Sequence, residues 1–180
     1  MNPTNAALRR WTPDDADALQ RTVACSDDLR VQFGQQNLST LEACGQYIEE
    51  QLAVESASAR HFAVAVDGLA VGDIGISSME FNHSTAWVSY WLSAEFRGQG
   101  LITRGLAAAS EWAFSEGLFR LELGHRVNNP ASCRVATRAG FQAEGIERQK
   151  LRYGLDRYDV ETHARLASDP PPEGITPLPR

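Results

Sequence analysis

Residues 96–103, Phe-Arg-Gly-Gln-Gly-Leu-Ile-Thr, set two glycines around a glutamine, after an apolar run and ahead of a helical one. A Gly-rich turn feeding a helix offers unpaired backbone N–H groups and the positive end of the helix dipole to one point, which is an anion site. Gly98 and Gly100 lack the Cβ atoms that would hold a phosphate off the main chain, and Arg97 adds a charge-assisted donor. A tight strand-to-helix turn with no ligand would use the same glycines, so the stretch by itself specifies a phosphate-sized anion and no more. Thr103 stands where the third glycine of a dinucleotide fingerprint belongs, and no acid closes the following strand, which argues against a dinucleotide fold. Lys150 is the single lysine, so the phosphate loop that needs its own lysine is excluded and arginine is left for any phosphate contact.

A second stretch with chemical content is 128–141, Asn-Asn-Pro-Ala-Ser-Cys-Arg-Val-Ala-Thr-Arg-Ala-Gly-Phe. It reads as a short helix with Asn129 as N-cap, Pro130 in the first position, Val135, Ala136 and Ala139 as a buried stripe, and Gly140 as the left-handed stop. Ser132 sits in its first turn, where a hydroxyl is ordinary. Cys133 has no His and Asn or Asp constellation to make it a nucleophile. Glu80, Glu95 and His125 are weak candidates for acid–base work.

The elements that must position these residues follow from periodicity. Thr12, Pro13, Asp14 and Asp15 start a helix running to about Ser26, and Ser39 with Glu42 forms a capping box for another, ending near Ser58. Residues 61–66 are a strand closed by the Asp67-Gly68 hairpin turn, and 70–77 and 84–92 are two more. A helix from 101 to about Gly117 follows, then a strand with Phe119, Leu121 and Leu123 on one face. After the 128–141 helix come two strands joined near Gly154 to Asp156, the last placing Tyr158, Val160, Thr162, Ala164 and Leu166 on one face. Trp87, Tyr90, Trp91, Trp112 and Phe114 read as core aromatics. The sum is an α+β fold with a mixed sheet and one strand–helix–strand crossover. Residues 1–167 make a single domain, and 168–180, with five prolines, are expected to be a disordered tail.

Composition narrows the class. The formal charge of −6 over 180 residues argues against a nucleic-acid partner. No apolar run approaches the roughly 20 residues that span a bilayer, and the first ten residues lack a secretory signal, so no membrane association and a cytoplasmic location are expected. The three cysteines, Cys25, Cys44 and Cys133, have no metal-ligand spacing and read as buried thiols, with no metal site.

Together, Tyr-Trp-Leu-Ser-Ala-Glu-Phe-Arg-Gly-Gln-Gly-Leu-Ile-Thr-Arg-Gly-Leu and, about 30 residues on, Asn-Asn-Pro-Ala-Ser-Cys-Arg-Val-Ala-Thr-Arg-Ala-Gly-Phe resemble the cofactor core of the GNAT superfamily of N-acetyltransferases, within it the RimJ/RimL branch. The resemblance runs from about Leu8 to about Leu166. Arg97 and Gly100 fit the family turn, where Ile102 replaces the usual small residue. It implies a mostly antiparallel central sheet with a splayed central strand pair and flanking helices. It also implies acetyl-CoA as cosubstrate, with its pyrophosphate on the backbone amides of Arg97, Gly98, Gln99, Gly100, Leu101, Ile102 and Thr103. Trp91 and Leu92 would lie on the splayed strand and present free backbone groups to the pantetheine arm and acetyl carbonyl. Asn129 would contact that arm, and Ser132 would protonate the departing thiolate. The implied reaction is direct acetyl transfer to a primary amine, foremost the N-terminal α-amine of a protein such as a ribosomal protein. A small-molecule amine (amino acid, polyamine or aminoglycoside) and a non-catalytic acyl-CoA binding module are the rival readings. Oligomeric state is left open, a homodimer among the options.

Overall fold

The computed structural model describes residues 5–34 and 36–180, so Met1–Thr4, counted with the domain above, lie outside the described residues. Seven strands form one sheet: β1 (Ala6–Arg9), β2 (Arg60–Val66), β3 (Leu69–Glu80), β4 (Thr85–Leu92), β5 (Arg120–Arg126), β6 (Gln142–Tyr153) and β7 (Asp156–Leu166). Their order is β1-β2-β3-β4-β5-β7-β6. Every neighbouring pair is antiparallel except β4–β5, which is parallel. The helices are α1 (Ala16–Ala24), α2 (Asp27–Phe33), α3 (Leu41–Tyr47), α4 (Leu101–Ser115) and α5 (Pro130–Arg138). This is the expected α+β class with a mixed, mostly antiparallel sheet, and α4 makes the crossover between the two parallel strands.

Strand alternation divides the core in two. Phe62, Val64, Ile74 and Leu121 point to the face covered by α4 and α5, where Leu106 and Phe141 fill the layer. Ala63 and Trp91 point to the other face, against Trp11, Leu19 and Ile48 from the N-terminal helical layer. The β2–β3 turn places Asp67 at φ 49° and Gly68 at φ 85°, the two left-handed positions a two-residue hairpin requires.

Several boundaries differ from the sequence reading. Thr12 does open the first helical segment, but a 3₁₀ turn, Pro13–Asp15, precedes α1, with the Asp15 carboxylate accepting from the Thr12 N–H at 3.0 Å and from Arg9. The cap of α3 is Thr40, whose Oγ1 accepts from the Ala43 N–H at 3.2 Å, while Ser39 spends its hydroxyl on Asn37. α3 passes into a π turn, Ile48–Leu52, and stops there. Both β1 and α2 went unread. Phe119 falls before β5 and is 49% exposed, so the buried face of β5 is Leu121, Leu123 and His125. On β7 both faces are covered, because His163 and Arg165 are buried as well as Val160 and Ala164.

Residues 168–180 were expected to be disordered, and in the structure the segment lies along the domain. The Leu8 N–H donates to Pro179 O at 2.8 Å, Leu178 N–H to Arg104 O at 3.2 Å, and Arg104 Nε to Thr176 O at 3.0 Å. Leu178, 3% exposed, belongs to the core beneath α4. Proline lacks an amide donor but not a carbonyl, and a prolyl chain already extended loses little entropy on docking. Among the described residues no helix is long and apolar enough to cross a membrane.

Candidate active site

The parallel ladder between β4 and β5 extends only from Thr85 opposite Arg120 to Trp87 opposite Glu122. Beyond Trp87 the strands part, and the gap between Val88–Leu92 and Leu123–Arg126 opens a cleft through the sheet. Trp91 buries its ring on the far face, 5.7 Å from Trp11 and 5.5 Å from Phe33. Trp11 is fixed in turn by its Nε1–H donating to Asp73 at 2.8 Å, and Asp73 pairs with Trp91 across β3 and β4. The splay expected at Trp91 and Leu92 is present, with Trp91 anchored by aromatic packing on the opposite side of the sheet.

One side of the gap is a cleft of about 390 Å³, lined by Trp91, Leu92, Arg97, Gly98, Gly100, Leu101, Ile102, Thr103, Asn129 and Ser132. Every residue assigned to cofactor contact or catalysis from the sequence therefore meets in one place, apart from Gln99, which does not line the cleft. Gly98 and Gly100 have φ of 76° and 73°, and a Cβ at either would meet nothing within 4 Å. Glycine is required by the backbone there, and the space beside it is open to a ligand. Gly100 caps α4, and the N–H groups from Gly98 to Thr103 have no acceptor among the described residues. Arg97 does not share in this row. Its N–H donates to Ala94 O, and its side chain donates to Leu92 O at 3.1 Å and to Asp28 at 3.1 Å, tying the end of β4 to α2.

Asn129 spends its side-chain oxygen on the Ser132 N–H at 3.2 Å, capping α5 and leaving its amide NH₂ for the cleft. The Ser132 hydroxyl is half-buried, has no hydrogen-bond partner among the described residues, and lines both this cleft and a smaller hollow of about 150 Å³ beyond it. Trp87, Ser89, His125, Arg126 and Tyr153 line the hollow, and Asp28, Gln32, Tyr90, Asn129 and Ser132 separate it from the cleft. Tyr90 O–H donates to Ser132 O at 3.1 Å. Burial pushes its pKa up to about 12, against a lowering effect of the Ser132 side chain, so it is a neutral phenol at physiological pH.

The candidate bases fare differently. The Glu80 carboxylate accepts the Asn82 and His83 N–H groups at 2.8 Å each, which holds it below the usual carboxylate range and makes it a turn cap between β3 and β4. Glu95 lies in an exposed 3₁₀ turn away from both cavities. His125 is in the wall of the hollow, but its Nδ1 faces Arg126 O at 3.1 Å and its Nε2 faces His163 at 3.0 Å. Trp87 and Tyr90, read as core, are half-buried and face the hollow. Of the three cysteines only Cys44 is buried; Cys25 is exposed and Cys133 half-buried.

Sequence reasoning missed α2, which supplies Asp28, Leu29 and Gln32 to the site. Ser26 followed by two acids is a helix-start pattern that could have revealed it. It also missed Arg134 and Arg138, four residues apart on α5, exposed, and without a carboxylate partner among the described residues. They face the same cleft as the free amides, so its mouth is cationic.

The chain belongs to the acetyltransferase (GNAT) domain family, whose model matches residues 6–142. It is 36% identical over 110 residues to the ribosomal-protein-serine acetyltransferase of Escherichia coli strain K12, a match covering 60% of this chain and 61% of that enzyme. The chain spans 60% and 55% of the length of two further curated relatives from Bacillus subtilis. Its fold is similar to that of RimL, a ribosomal L7/L12 alpha-N-protein acetyltransferase in complex with coenzyme A, with a TM-score of 0.82 at 24% identity over 92% of this chain and 96% of that one. A microcin self-immunity acetyltransferase in complex with acetyl-CoA and AMP gives a TM-score of 0.78 at 18% identity, covering 91% and 93% of the two chains.

Proposed function

We propose that the chain is an acetyl-CoA dependent N-acetyltransferase that acts by direct transfer, with the N-terminal α-amine of a protein, such as a ribosomal protein, as acceptor. The observation that carries the reading is the position of Ser132, whose unpaired hydroxyl stands between an amide-lined cleft and a separate hollow on the other side of the same strand gap. The likeness to a ribosomal-protein-serine acetyltransferase supports the acceptor class.

Acetyl-CoA would supply an activated thioester, so no covalent enzyme intermediate is needed. The free N–H groups of Gly98 to Thr103 bind the pyrophosphate, aided by the α4 dipole, with Arg134 and Arg138 adding charge at the mouth. On β4, Trp91 is paired with Asp73 of β3 and the Leu92 carbonyl accepts from Arg97, so the Leu92 N–H is the backbone donor left to orient the pantetheine arm or the acetyl carbonyl. Asn129 steadies the arm with its remaining amide donors. The acceptor amine enters from the hollow, whose volume of about 150 Å³ suits a small first residue. An α-amine has a pKa near ~8, so water is base enough to free its lone pair. Ser132 then gives its proton to the departing thiolate.

Thermal unfolding with saturating acetyl-CoA, NAD or ATP tests the cofactor assignment. Acetyl-CoA raises Tm and the other two do not; no shift with acetyl-CoA would overturn the reading.

A further inference from the structure

His125 on β5, Cys133 on α5, and Glu161 and His163 on β7 each turn a ligating atom toward one point, and all four atoms lie within 4.8 Å of one another. The β5–β7 register creates the group. His125 sits directly opposite Glu161, and His163, opposite Leu123, is one pair along on the same face. α5 packs over that face and brings Cys133 to it.

Three of the contacts form a closed triangle. The two Nε2 atoms are 3.0 Å apart, His163 Nε2 is 3.1 Å from Glu161 Oε2, and His125 Nε2 is 3.3 Å from the same oxygen. The outer nitrogens fix the tautomers. His125 Nδ1 lies 3.1 Å from Arg126 O and His163 Nδ1 lies 3.4 Å from Phe141 O. A carbonyl oxygen can only accept, so Nδ1 is the nitrogen that carries the proton when either ring is neutral, which leaves that ring's lone pair at Nε2. With both rings neutral, two nitrogen lone pairs and a carboxylate oxygen therefore converge at hydrogen-bond distance. One proton bridges a single edge of that triangle and leaves another edge with two acceptors face to face. A cation at the centre satisfies all three edges. Imidazoles that donate Nδ1–H to a backbone carbonyl while Nε2 points inward are also the usual outer-shell arrangement of metal-bound histidines.

We propose that these four residues bind a divalent transition metal of the zinc class, through two imidazole nitrogens, one carboxylate oxygen and one thiolate. Ligand distances of about 2.0–2.3 Å put neighbouring donor atoms of a tetrahedral zinc site about 3.3–3.7 Å apart. The observed triangle has only to open by a few tenths of an ångström, and Cys133 has only to turn inward. The two-nitrogen and sulfur donor set selects against magnesium and calcium, which take oxygen ligands. Both histidines are buried, at 7% and 1% exposure, while Glu161 and Cys133 are half-buried and leave an entrance. Cys133 follows Ser132, and His125 lines the hollow beside it, so a bound ion pins the first turn of α5 to β5 and β7. Metal binding here does not depend on the transferase reading, and the test reads binding alone.

The full chain, stripped with a chelator, is titrated with Co²⁺ and then with Zn²⁺ or Mg²⁺. The expected result is one Co²⁺ per chain with tetrahedral d–d bands and a thiolate-to-cobalt charge-transfer band, displaced by Zn²⁺ and not by Mg²⁺. His163→Gln should weaken binding by at least about tenfold. Cys133→Ser, a mild change at a half-buried helix position, should remove the charge-transfer band while leaving the far-UV circular dichroism intact. Absence of stoichiometric Co²⁺ or Zn²⁺ binding would place a proton at the centre and overturn the metal site. A thiolate band that persists in Cys133→Ser, or affinity unchanged in His163→Gln, would overturn it equally.

Discussion

The Tyr90 hydroxyl donates to the carbonyl oxygen of Ser132 across 3.1 Å, joining the splayed strand β4 to the first turn of α5. This bond spans the strand gap at the point where the cleft and the hollow meet, so it sets the position of the Ser132 side chain relative to both.

Ser132→Ala removes the proposed proton donor and leaves the backbone N–H that Asn129 caps. Turnover should fall by on the order of 10²-fold, with acetyl-CoA affinity essentially unchanged. Tyr90→Phe should cause a smaller fall, since it loosens the donor without removing it. Equal turnover in wild type and Ser132→Ala, measured by thiol release, would exclude Ser132 from the chemistry.

Gly100→Ala places a Cβ on a residue at φ 73°, at a cost of about 1–2 kcal/mol. If the residue relaxes toward an ordinary helical φ, the amide row at the start of α4 turns away from the cleft. Calorimetric titration should show acetyl-CoA binding weakened about tenfold or more, and unchanged affinity would show that these amides do not hold the ligand.

His61 and Asp73 meet at 2.9 Å, and Asp73 also accepts from Trp11. Burial by itself would lower the His61 pKa, but the hydrogen bond and charge of Asp73 outweigh it and the net shift is upward from 6.5. A histidine whose folded pKa is raised contributes stability that is fully present below its unfolded value and is lost as pH rises through the folded one. Wild-type Tm should therefore carry a component that declines from about pH 6.5 upward, absent in His61→Gln. The same pH slope in both proteins would remove His61 as its source.

Leu178→Ala tests whether the proline-rich segment is part of the domain. Leu178 fills the core beside Gly105 and Leu8, so the substitution should cost about 2–3 kcal/mol in denaturant unfolding. A change within roughly 0.5 kcal/mol would show that the segment contributes nothing to stability.

How far the sequence could be read depended on the range of the interactions involved. The turn at Gly98 and Gly100 and the cap at Asn129 are local devices, fixed by backbone conformation and a side chain three residues away, and they were legible. Ser132 read from that local pattern was an ordinary first-turn hydroxyl, and its proposed role came only with the resemblance. The four-residue group around His125 depends on which residue of β7 faces which residue of β5, and strand register leaves no mark at sequence spacing. The place of Trp91 on the splayed strand came from the resemblance, whereas its packing against Trp11 and Phe33 could not be read, because those rings arrive from distant segments. The tail was misread for a related reason. Its prolines describe the chain by itself, whereas Leu178 finds its partners in α4 and β1.

The central claim is acetyl transfer from acetyl-CoA to a protein α-amine. Its most direct test is incubation of the purified chain with acetyl-CoA and peptides beginning in serine or alanine, with thiol release and peptide mass followed together. The account predicts release of one CoA for each acetyl group found on the peptide N-terminus, and none with an N-terminally blocked peptide. Release with small amines alone, or no transfer to any free α-amine by a chain that binds acetyl-CoA, would contradict it.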